Sequence, residues 1–591
     1  MISDSGAFFA LDLGSATTSV ALLGHLGGRW RLVAHAAAPA FVEPDALLHD
    51  LLQGVAGTDP EMLQEIAAGR SADPAALVAA LPRLVARSTP PRNIVVLAGS
   101  RRQRRLLELA AYRSGWLVSG GSADDGDLMA LARLAFSGSC DAILVGADRS
   151  PAGDERRALP DLAALAAAAR QVRPALTIVL AGGAAVYEPA FAGRAIHGSR
   201  AAAELPEAES ALWREEEPRD GDMATGEPRS TGKDSIANES PDVHAEFPGN
   251  VLLAPDAEAG RPAGSALQQV LEGLRVLPND ARLGIVRSIA SLAEILGRTV
   301  EVAEVGFEGG LRARSQPAAT ARASAAPPGV MPADGAFSPP ALSDEVIDGV
   351  QSWSTVTFDR YRLADLLRNL RVAPWGEIDG DGATLRTAAA RAALWRLAQA
   401  APELVSHPLP EVLIAAGGVF AAMPPGVAAL ALADLLRRPG VAQLVFDHAR
   451  LLGPIGVLED EGERRRLLAN LADDILLPLG CLVLPVGLKP GRSGGRLRVE
   501  GETGPTEIEL HPGTLQVIDL PPGQAARVEA DFRETVRLAT KGRRFIFAVT
   551  GGLGGLLVDL RDVPLRLPDR PEPRRAALAT LQGAMWPELD Q

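Results

Sequence analysis

Short apolar runs separated by glycine or polar turns predict that the chain begins as a β meander followed by parallel β-α units. The first three predicted strands are 8–14, 17–24 and 30–35. Three more apolar runs follow at 94–98, 142–146 and 177–181. They alternate with helical periodicity near 102–113, 127–136 and 159–171. Strands that alternate with helices are typical of a parallel sheet, so this half is predicted to be α/β.

Later changes in the pattern predict the domain boundaries. Periodicity is lost in 199–248, where 13 acidic residues face 5 basic ones, and such a composition buries too little apolar surface to offset chain entropy. A second α/β segment follows, with a Pro/Ala/Ser-rich insertion at 315–340. From Cys481 onward, short β-type runs alternate with Gly/Pro turns. We therefore predict a first lobe at 1–198, a disordered acidic linker at 199–248, a second lobe at 249–452 and a β-rich domain at 453–591.

Composition narrows the class of protein. The 591 residues carry a net charge of −14, so the basic footprint of a nucleic-acid-binding protein is missing. Two cysteines, Cys140 and Cys481, exclude a disulfide scaffold and a four-thiolate zinc site. The longest uncharged run, 412–433, is interrupted by Gly-Gly and Pro-Pro, which argues against a membrane span, and the N-terminus does not read as a signal peptide. We expect a cytoplasmic protein that binds neither nucleic acid nor membrane.

The strongest local motif is the turn between the first two predicted strands. Asp12 ends an apolar strand and Gly14 follows, and Ser15, Thr17 and Thr18 then lead into the next strand. Glycine lets the backbone approach a phosphate, while the following N–H and hydroxyl groups donate hydrogen bonds to it. Asp12 would then hold the water shell of Mg²⁺ and is our candidate catalytic and metal residue. The alternative is a plain hairpin whose polar turn satisfies only its own backbone.

A second glycine turn, Gly417-Gly418, follows the apolar run 412–416. Such a turn permits close approach by a flat ligand such as adenosine, although ordinary strand-to-helix connections use it too. Together with the turn at Asp12, it fits the two-lobed ATPase fold shared by sugar kinases, heat-shock proteins and actin. In that fold each half supplies one phosphate hairpin, and the second half supplies an adenosine loop.

Many small ordered motifs make the sequence resemble the glutamate-mutase L-component family, which is unrelated to the mismatch-repair protein of similar name. The matching runs are the hairpin DLGSATT (12–18), then GGVFA (417–421), LVFD (444–447), LLGPIG (451–456), LPLGC (477–481), PPGQ (521–524), GGLLVD (554–559) and PLRLP (564–568). With the weaker matches between them they span about 60% of the chain.

This resemblance implies a two-lobed actin-like fold built from ribonuclease-H-like repeats, here with a C-terminal β-rich domain. It also implies ATP or ADP with Mg²⁺ as the cofactor. The implied role is that of a chaperone-like reactivating partner for adenosylcobalamin-dependent glutamate mutase, with cobalamin-dependent mutase subunits as partners. No Asp-x-His-x-x-Gly motif is present, so we expect no direct binding of cobalamin.

The chain also departs from the family pattern. Its second phosphate hairpin corresponds to 302–311, where Gly306 is retained, the Thr pair is missing and Glu308 is expected to repel a γ-phosphate. A family Gly-Gly-Thr-Asp-Gly-Gly stretch is altered around Asp148, which we keep as a second catalytic candidate beside the alternative of a surface turn. A weakened ATP site is therefore expected. The competing hypotheses are a scaffold that works without nucleotide hydrolysis and an ATP-dependent small-molecule kinase of the same fold.

Overall fold

A computed structural model gives the structure of the chain. It describes residues 6–192, 251–255, 266–275, 279–317, 344–372, 380–400 and 408–585, apart from breaks at 68–69, 89–91, 115, 126, 139, 150, 152, 308, 422, 490 and 503. The predicted linker 199–248 lies outside the described residues. So does all of the predicted insertion 315–340 except its first three positions.

The described residues form a mixed α/β protein, as the sequence predicted. The strands are β1 Ala7–Leu13, β2 Thr17–Leu26, β3 Arg29–Pro39, β4 Arg83–Arg87, β5 Asn93–Ala98, β6 Leu117–Ser122, β7 Ala142–Ala147, β8 Thr177–Gly182, β9 Val251–Ala254, β10 Val300–Val305, β11 Gly310–Ser315, β12 Val412–Ala416, β13 Gly440–Asp447, β14 Leu476–Leu484, β15 Gly495–Gly501, β16 Gly504–Leu510, β17 Leu515–Ile518, β18 Ala525–Arg537, β19 Lys541–Thr550 and β20 Leu556–Asp559. The helices are α1 Pro44–Thr58, α2 Pro60–Ala67, α3 Pro74–Ala80, α4 Arg101–Arg113, α5 Leu128–Ala135, α6 Gly153–Val172, α7 Ala266–Arg275, α8 Ala281–Leu296, α9 Asp344–Trp353, α10 Arg360–Val372, α11 Gly380–Ala400, α12 Gly418–Ala421, α13 Pro425–Leu435, α14 Leu452–Gly456, α15 Glu461–Ile475 and α16 Pro571–Met585.

The first sheet has four strands in the order β3-β2-β1-β4, and the predicted meander supplies three of them. β1 is antiparallel to β2 and parallel to β4. Phe8 and Ala10 face one hydrophobic cluster while Phe9 and Leu11 face another, because successive side chains of a strand point to opposite faces. Both faces are covered, which explains why β1 is apolar almost throughout.

A five-stranded parallel sheet, ordered β6-β5-β7-β8-β9, lies between β4 and α8 in the chain. β5 lies between β6 and β7, the two strands that follow it in the chain. The same arrangement occurs in doubly wound folds, which bind ligands where the strand order reverses. β9 belongs to this sheet because Val251 pairs with Ile178 of β8. The stretch 199–248 therefore connects two neighbouring strands of one sheet. β9 lies beyond the predicted boundary at 248, and its partner strand β8 lies before the predicted linker.

The second large sheet has seven strands in the order β11-β10-β12-β13-β14-β20-β17. It takes strands from both sides of position 453, and β14 pairs antiparallel with β13. A smaller antiparallel sheet, β16-β15-β18-β19, packs against its last strands. The C-terminal region is therefore rich in strands, as predicted, and three of them extend the sheet of the preceding segment.

Helices α8, α14 and α15 fill the space between the four-stranded and seven-stranded sheets. One hydrophobic cluster joins Phe8 of the first sheet, Ile289 and Leu468 of these helices, and Ile414 of the second sheet. Helices α1–α3 cover the far side of the first sheet, and α9–α11, α13 and α16 cover the far side of the second. In the described part of the chain, no helix combines the length and apolarity needed to cross a membrane.

Candidate functional site

Two matching hairpins face each other across one cleft. In the β1–β2 hairpin, Asp12 precedes Gly14 by two positions and the Gly14 N–H donates to the Thr17 carbonyl over 3.1 Å. In the β10–β11 hairpin, Glu304 precedes Gly306 by two positions and the Gly306 N–H donates to the Gly309 carbonyl over 2.8 Å. Both sheets thus present an acidic side chain and a glycine turn at the same point of their first strand.

Close contacts surround the glycines of both turns, with backbone at Gly14 and the Glu304 side chain at Gly306. A Cβ atom at Gly14 would lie 2.7 Å from the Thr17 carbonyl oxygen, and one at Gly306 would lie 2.8 Å from a carboxylate oxygen of Glu304. These separations are shorter than van der Waals contact allows. Any larger residue would therefore distort the turn or displace the acid.

The predicted Gly417-Gly418 turn packs against the second hairpin. Gly417 has a φ of +94°, and a Cβ atom there would lie 2.3 Å from the Val305 carbonyl oxygen. At Gly418 a Cβ atom would lie 2.7 Å from a guanidinium nitrogen of Arg450. Gly417 needs to be glycine because of its positive φ and the nearby strand backbone, whereas a larger residue at Gly418 would displace the Arg450 side chain.

All three turns line a single cleft with a cavity volume of about 90 Å³. The sequence-predicted residues among its lining are Asp12, Gly14, Ser15, Thr17, Gly306, Gly417 and Gly418. The further lining residues are Ala16, Ser88, Arg282, Glu304, Phe307, Arg386, Val419 and Arg450.

Two buried carboxyl groups, Asp12 and Glu304, line the cleft, and a third, Asp447, lines a smaller cavity that both of them also reach. Burial raises the pKa of Asp12 to about 6, against a smaller opposing effect of Arg450. Burial also raises the pKa of Glu304 to about 7, despite Arg282 nearby, and Asp12 adds to the rise. The pKa of Asp447 is raised to about 6 by burial, although its carboxylate accepts the N–H groups of two following residues. Near neutral pH these groups are poised to gain or lose protons.

Two oxygens of these acids have no hydrogen-bond partner among the described residues. They are Oδ1 of Asp12 and Oε2 of Glu304, and both atoms are buried. The nearest cation to Glu304 is Arg282, with Nε 3.9 Å from Oε2. An orphaned buried carboxylate oxygen costs free energy unless a ligand, water or ion satisfies it.

This donor set fits Mg²⁺ held together with phosphates. Mg²⁺ takes oxygen ligands and usually binds through one or two carboxylates, several waters and the phosphates of a substrate. Within the described residues no group of three or more acidic, histidine or cysteine side chains is arranged as a complete metal site. Asp12 and Glu304 therefore offer carboxylate oxygens to a hydrated ion without forming a closed metal cage.

Arg450 connects the first hairpin to the second half of the protein. Its φ is +54°, an unusual value for a residue with a side chain, and its Nη1 donates to the Thr17 hydroxyl over 2.5 Å. A strained backbone of this kind persists where the surrounding structure fixes it, and such residues cluster at functional sites. Arg450 thus brings a positive charge to the cleft beside the Gly417-Gly418 turn.

Below the cleft, two helices cross with their backbones in direct contact. A Cβ atom at Gly284 of α8 would lie 2.2 Å from the Gly453 carbonyl oxygen, and one at Gly456 of α14 would lie 1.8 Å from the Gly284 carbonyl oxygen. The backbone of Asp280, just before α8, forms an isolated parallel β-bridge with the backbone of Arg87 at the end of β4. Both helices lie between the four-stranded sheet, which carries the first hairpin, and the seven-stranded sheet, which carries the second, so this crossing fixes the separation of the two hairpins.

The structure separates two predicted residues from the cleft. Thr18 is buried within β2 and is absent from the cleft lining. Asp148 follows β7 in the five-stranded sheet, where its N–H donates to the Glu155 carboxylate over 3.3 Å and its carbonyl oxygen packs against Gly183. Asp148 therefore lies outside the group around Asp12. Glu308, expected to repel a γ-phosphate, lies outside the described residues.

Sequence reasoning missed five charged residues at or beside the cleft, which are Arg282, Glu304, Arg386, Asp447 and Arg450. Glu304 was passed over in favour of Glu308, although it stands two positions before its glycine just as Asp12 does. Asp447 also ends an apolar strand, which is the same signal. Arg450 carries no local signal, because only the tertiary fold brings it to Thr17.

Comparisons with known proteins identify no family for this chain. No protein-family model matches it, and no curated protein matches it in sequence. Among solved structures it is similar to a nucleotide-free acetone carboxylase, from work on ATP-dependent acetone carboxylation, at 12% identity. That match covers 85% of this chain and 80% of the other with a TM-score of 0.27, which is too low to carry an argument about fold or function.

Proposed function

We propose that the cleft between the two hairpins binds ATP or ADP with Mg²⁺. The observation that supports this most directly is the pairing of two acid-x-glycine hairpins, at Asp12 and Glu304, across one cleft with a glycine-rich loop beside them. Backbone N–H groups and hydroxyls of the first hairpin would hold phosphates. The Gly417-Gly418 turn would receive the adenosine, whose flat ring needs close approach to the backbone.

Mg²⁺ would supply charge neutralisation of the phosphates, and the protein side chains would position it. Asp12 and Glu304 offer their unpartnered oxygens to the waters of the ion. Arg282, Arg386 and Arg450 bring positive charge to the same cleft and would bind phosphate oxygens. The acids must be ionised to hold a metal shell, so the raised pKa values make Mg²⁺-dependent binding strengthen as the pH rises from about 5 to about 8.

We propose further that the protein is an accessory factor of the glutamate-mutase L-component kind, which uses nucleotide binding to reactivate a cobalamin-dependent mutase. This finer proposal is based on the sequence resemblance alone. Slow or absent hydrolysis is part of it, because the second hairpin lacks the Thr pair of the family pattern. Losing one charge-assisted contact to a γ-phosphate costs about 1.5–3 kcal/mol. ADP is then expected to bind at least as well as ATP.

Titration calorimetry with ATP and ADP, each with and without Mg²⁺, tests the nucleotide proposal. We expect Mg²⁺-dependent binding in the natural protein and its loss in Asp12→Ala. Asp148→Ala is the matched control, because Asp148 lies in another sheet and its removal should leave binding unchanged. Equal loss in both variants, or no nucleotide binding at all, would count against the cleft as the site.

A reactivation assay separates the proposed accessory role from its alternatives. A cobalamin mutase inactivated in turnover is given fresh cofactor, ATP and this protein, and recovery of activity is followed. Recovery that depends on Asp12 supports the accessory role. Recovery without nucleotide would favour the scaffold, whereas ADP release only in the presence of a small-molecule acceptor would favour a kinase.

A further inference from the structure

A second, larger groove lies on the outer face of the seven-stranded sheet's helix layer. Its walls are α9, α11 and the C-terminal segment 565–574 that leads into α16. The groove has a cavity volume of about 640 Å³, within the range of small-molecule sites. None of the residues that line it also lines the nucleotide cleft.

Two tryptophans form one side of this groove. Trp353 is 8% exposed and Trp395 is 38% exposed, with ring centroids 6.2 Å apart and planes inclined by 56°. The guanidinium of Arg391 lies 4.6 Å from the centre of the Trp353 ring and is itself bound to Asp434. Trp353 is thus fixed in place, while the Trp395 ring is open to the groove as a stacking surface for a planar group.

Positive charge predominates on the groove lining. Arg396, Arg566 and Arg574 line it, against the single acid Asp569. Arg574 donates its Nε to the Pro568 carbonyl over 2.7 Å, which orients the guanidinium without neutralising it. Arginine binds carboxylate and phosphate through paired N–H groups, so this arrangement attracts an anion.

We propose that this groove binds a small organic anion that carries a planar ring. The ring would stack on Trp395, and the carboxylate or phosphate would bind the arginines, Arg566 and Arg574 in particular. The two parts of the ligand match the two chemistries on the groove wall.

The groove is connected to the nucleotide cleft by a single helix. Arg386 lines the cleft and Trp395 lines the groove, and both belong to α11. At ~1.5 Å per residue they stand roughly 13 Å apart along the helix axis. The groove is therefore a separate site, and the proposal for it stands without the proposed nucleotide binding.

Ligand-observed NMR titration of the full chain tests the groove with defined probes. Phenyl phosphate and benzoate carry both a ring and an anion and distinguish the two anion types. Benzyl alcohol lacks the charge, and inorganic phosphate lacks the ring. We expect phenyl phosphate or benzoate to bind at least about tenfold more tightly than either incomplete probe, as one further charge-assisted or stacking contact would give.

Variants locate the binding. Trp395→Ala and Arg566→Gln should each weaken the binding of the preferred probe about tenfold, since each removes one contact with it. Arg496→Gln, on the exposed face of β15, is the matched control and should bind as the natural protein does. Asp12→Ala should also bind normally, which excludes the nucleotide cleft as the site. Absence of binding by both ring-bearing anions, or equal binding by all variants, overturns the proposal.

Discussion

Replacing Glu304 by Gln should make the protein less sensitive to pH. Glu304 is 7% exposed and its pKa is raised from 4.5 to about 7, mainly by burial. The folded state then holds a proton that the unfolded state releases between these two pH values. Stability therefore falls as the pH rises through this window, because ionising the buried acid opposes folding.

The size of the effect follows from the shift in pKa. Each pKa unit corresponds to about 1.4 kcal/mol, so a rise from 4.5 to about 7 corresponds to roughly 3 kcal/mol lost at pH values above the folded pKa. Gln resembles the protonated acid in shape and cannot ionise. We expect Glu304→Gln to be more stable than the natural protein at about pH 8 and similar to it at about pH 5.

Unfolding by urea, followed by tryptophan fluorescence between about pH 5 and about pH 8, measures this difference. Glu502→Gln, at an exposed position, is the control and should follow the natural protein throughout. If the stability of Glu304→Gln depends on pH in the same way as that of the natural protein, the raised pKa of Glu304 is refuted. A lower stability at every pH would show that its carboxylate is held charged by Arg282.

Three further predictions concern the stability of the fold. Gly284→Ala should lower the free energy of unfolding by about 1–3 kcal/mol, and with it the melting temperature, because its Cβ atom would lie 2.2 Å from the Gly453 carbonyl oxygen. Gly54→Ala, whose Cβ atom would point into open space on α1, is the control in thermal melting and should not destabilise the protein. Arg312→Met should lower the free energy of unfolding, measured with urea, by about 3 kcal/mol, because it removes one of the ion-pair partners of the buried Glu301. Arg498→Met removes an exposed arginine from an ion pair and should lower the same free energy by less than about 1 kcal/mol. Deleting 205–245 should leave the melting temperature nearly unchanged, because so polar a stretch contributes little apolar burial; a large drop would show that it is part of the fold.

Local pattern was enough to predict the strands that are apolar on both faces. β1 and the parallel strands β5, β7 and β8 stand out in the sequence because both of their faces are covered. In β18 charged residues alternate with apolar ones, because one of its sides faces solvent. The pairing of β9 with β8 was not predicted, since it spans a long aperiodic stretch.

The part of the candidate site that depends on local backbone geometry could be predicted from the sequence. The glycine turns at Gly14 and Gly417 are encoded locally, because each turn needs close approach of the backbone. Arg450 and Asp447 enter the cleft only through tertiary packing of β13 and α14 against the first hairpin. Such long-range contacts leave no spacing signal in a single sequence.

A structure of the protein crystallised with Mg²⁺ and ADP tests the central claim most directly. The account predicts the phosphates between the Gly14 and Gly306 hairpins, the adenosine against Gly417-Gly418, and the metal's waters on Asp12 and Glu304. A nucleotide at the carboxyl ends of the five-stranded sheet, beside Asp148, would contradict the account. So would an empty cleft in crystals grown at saturating nucleotide.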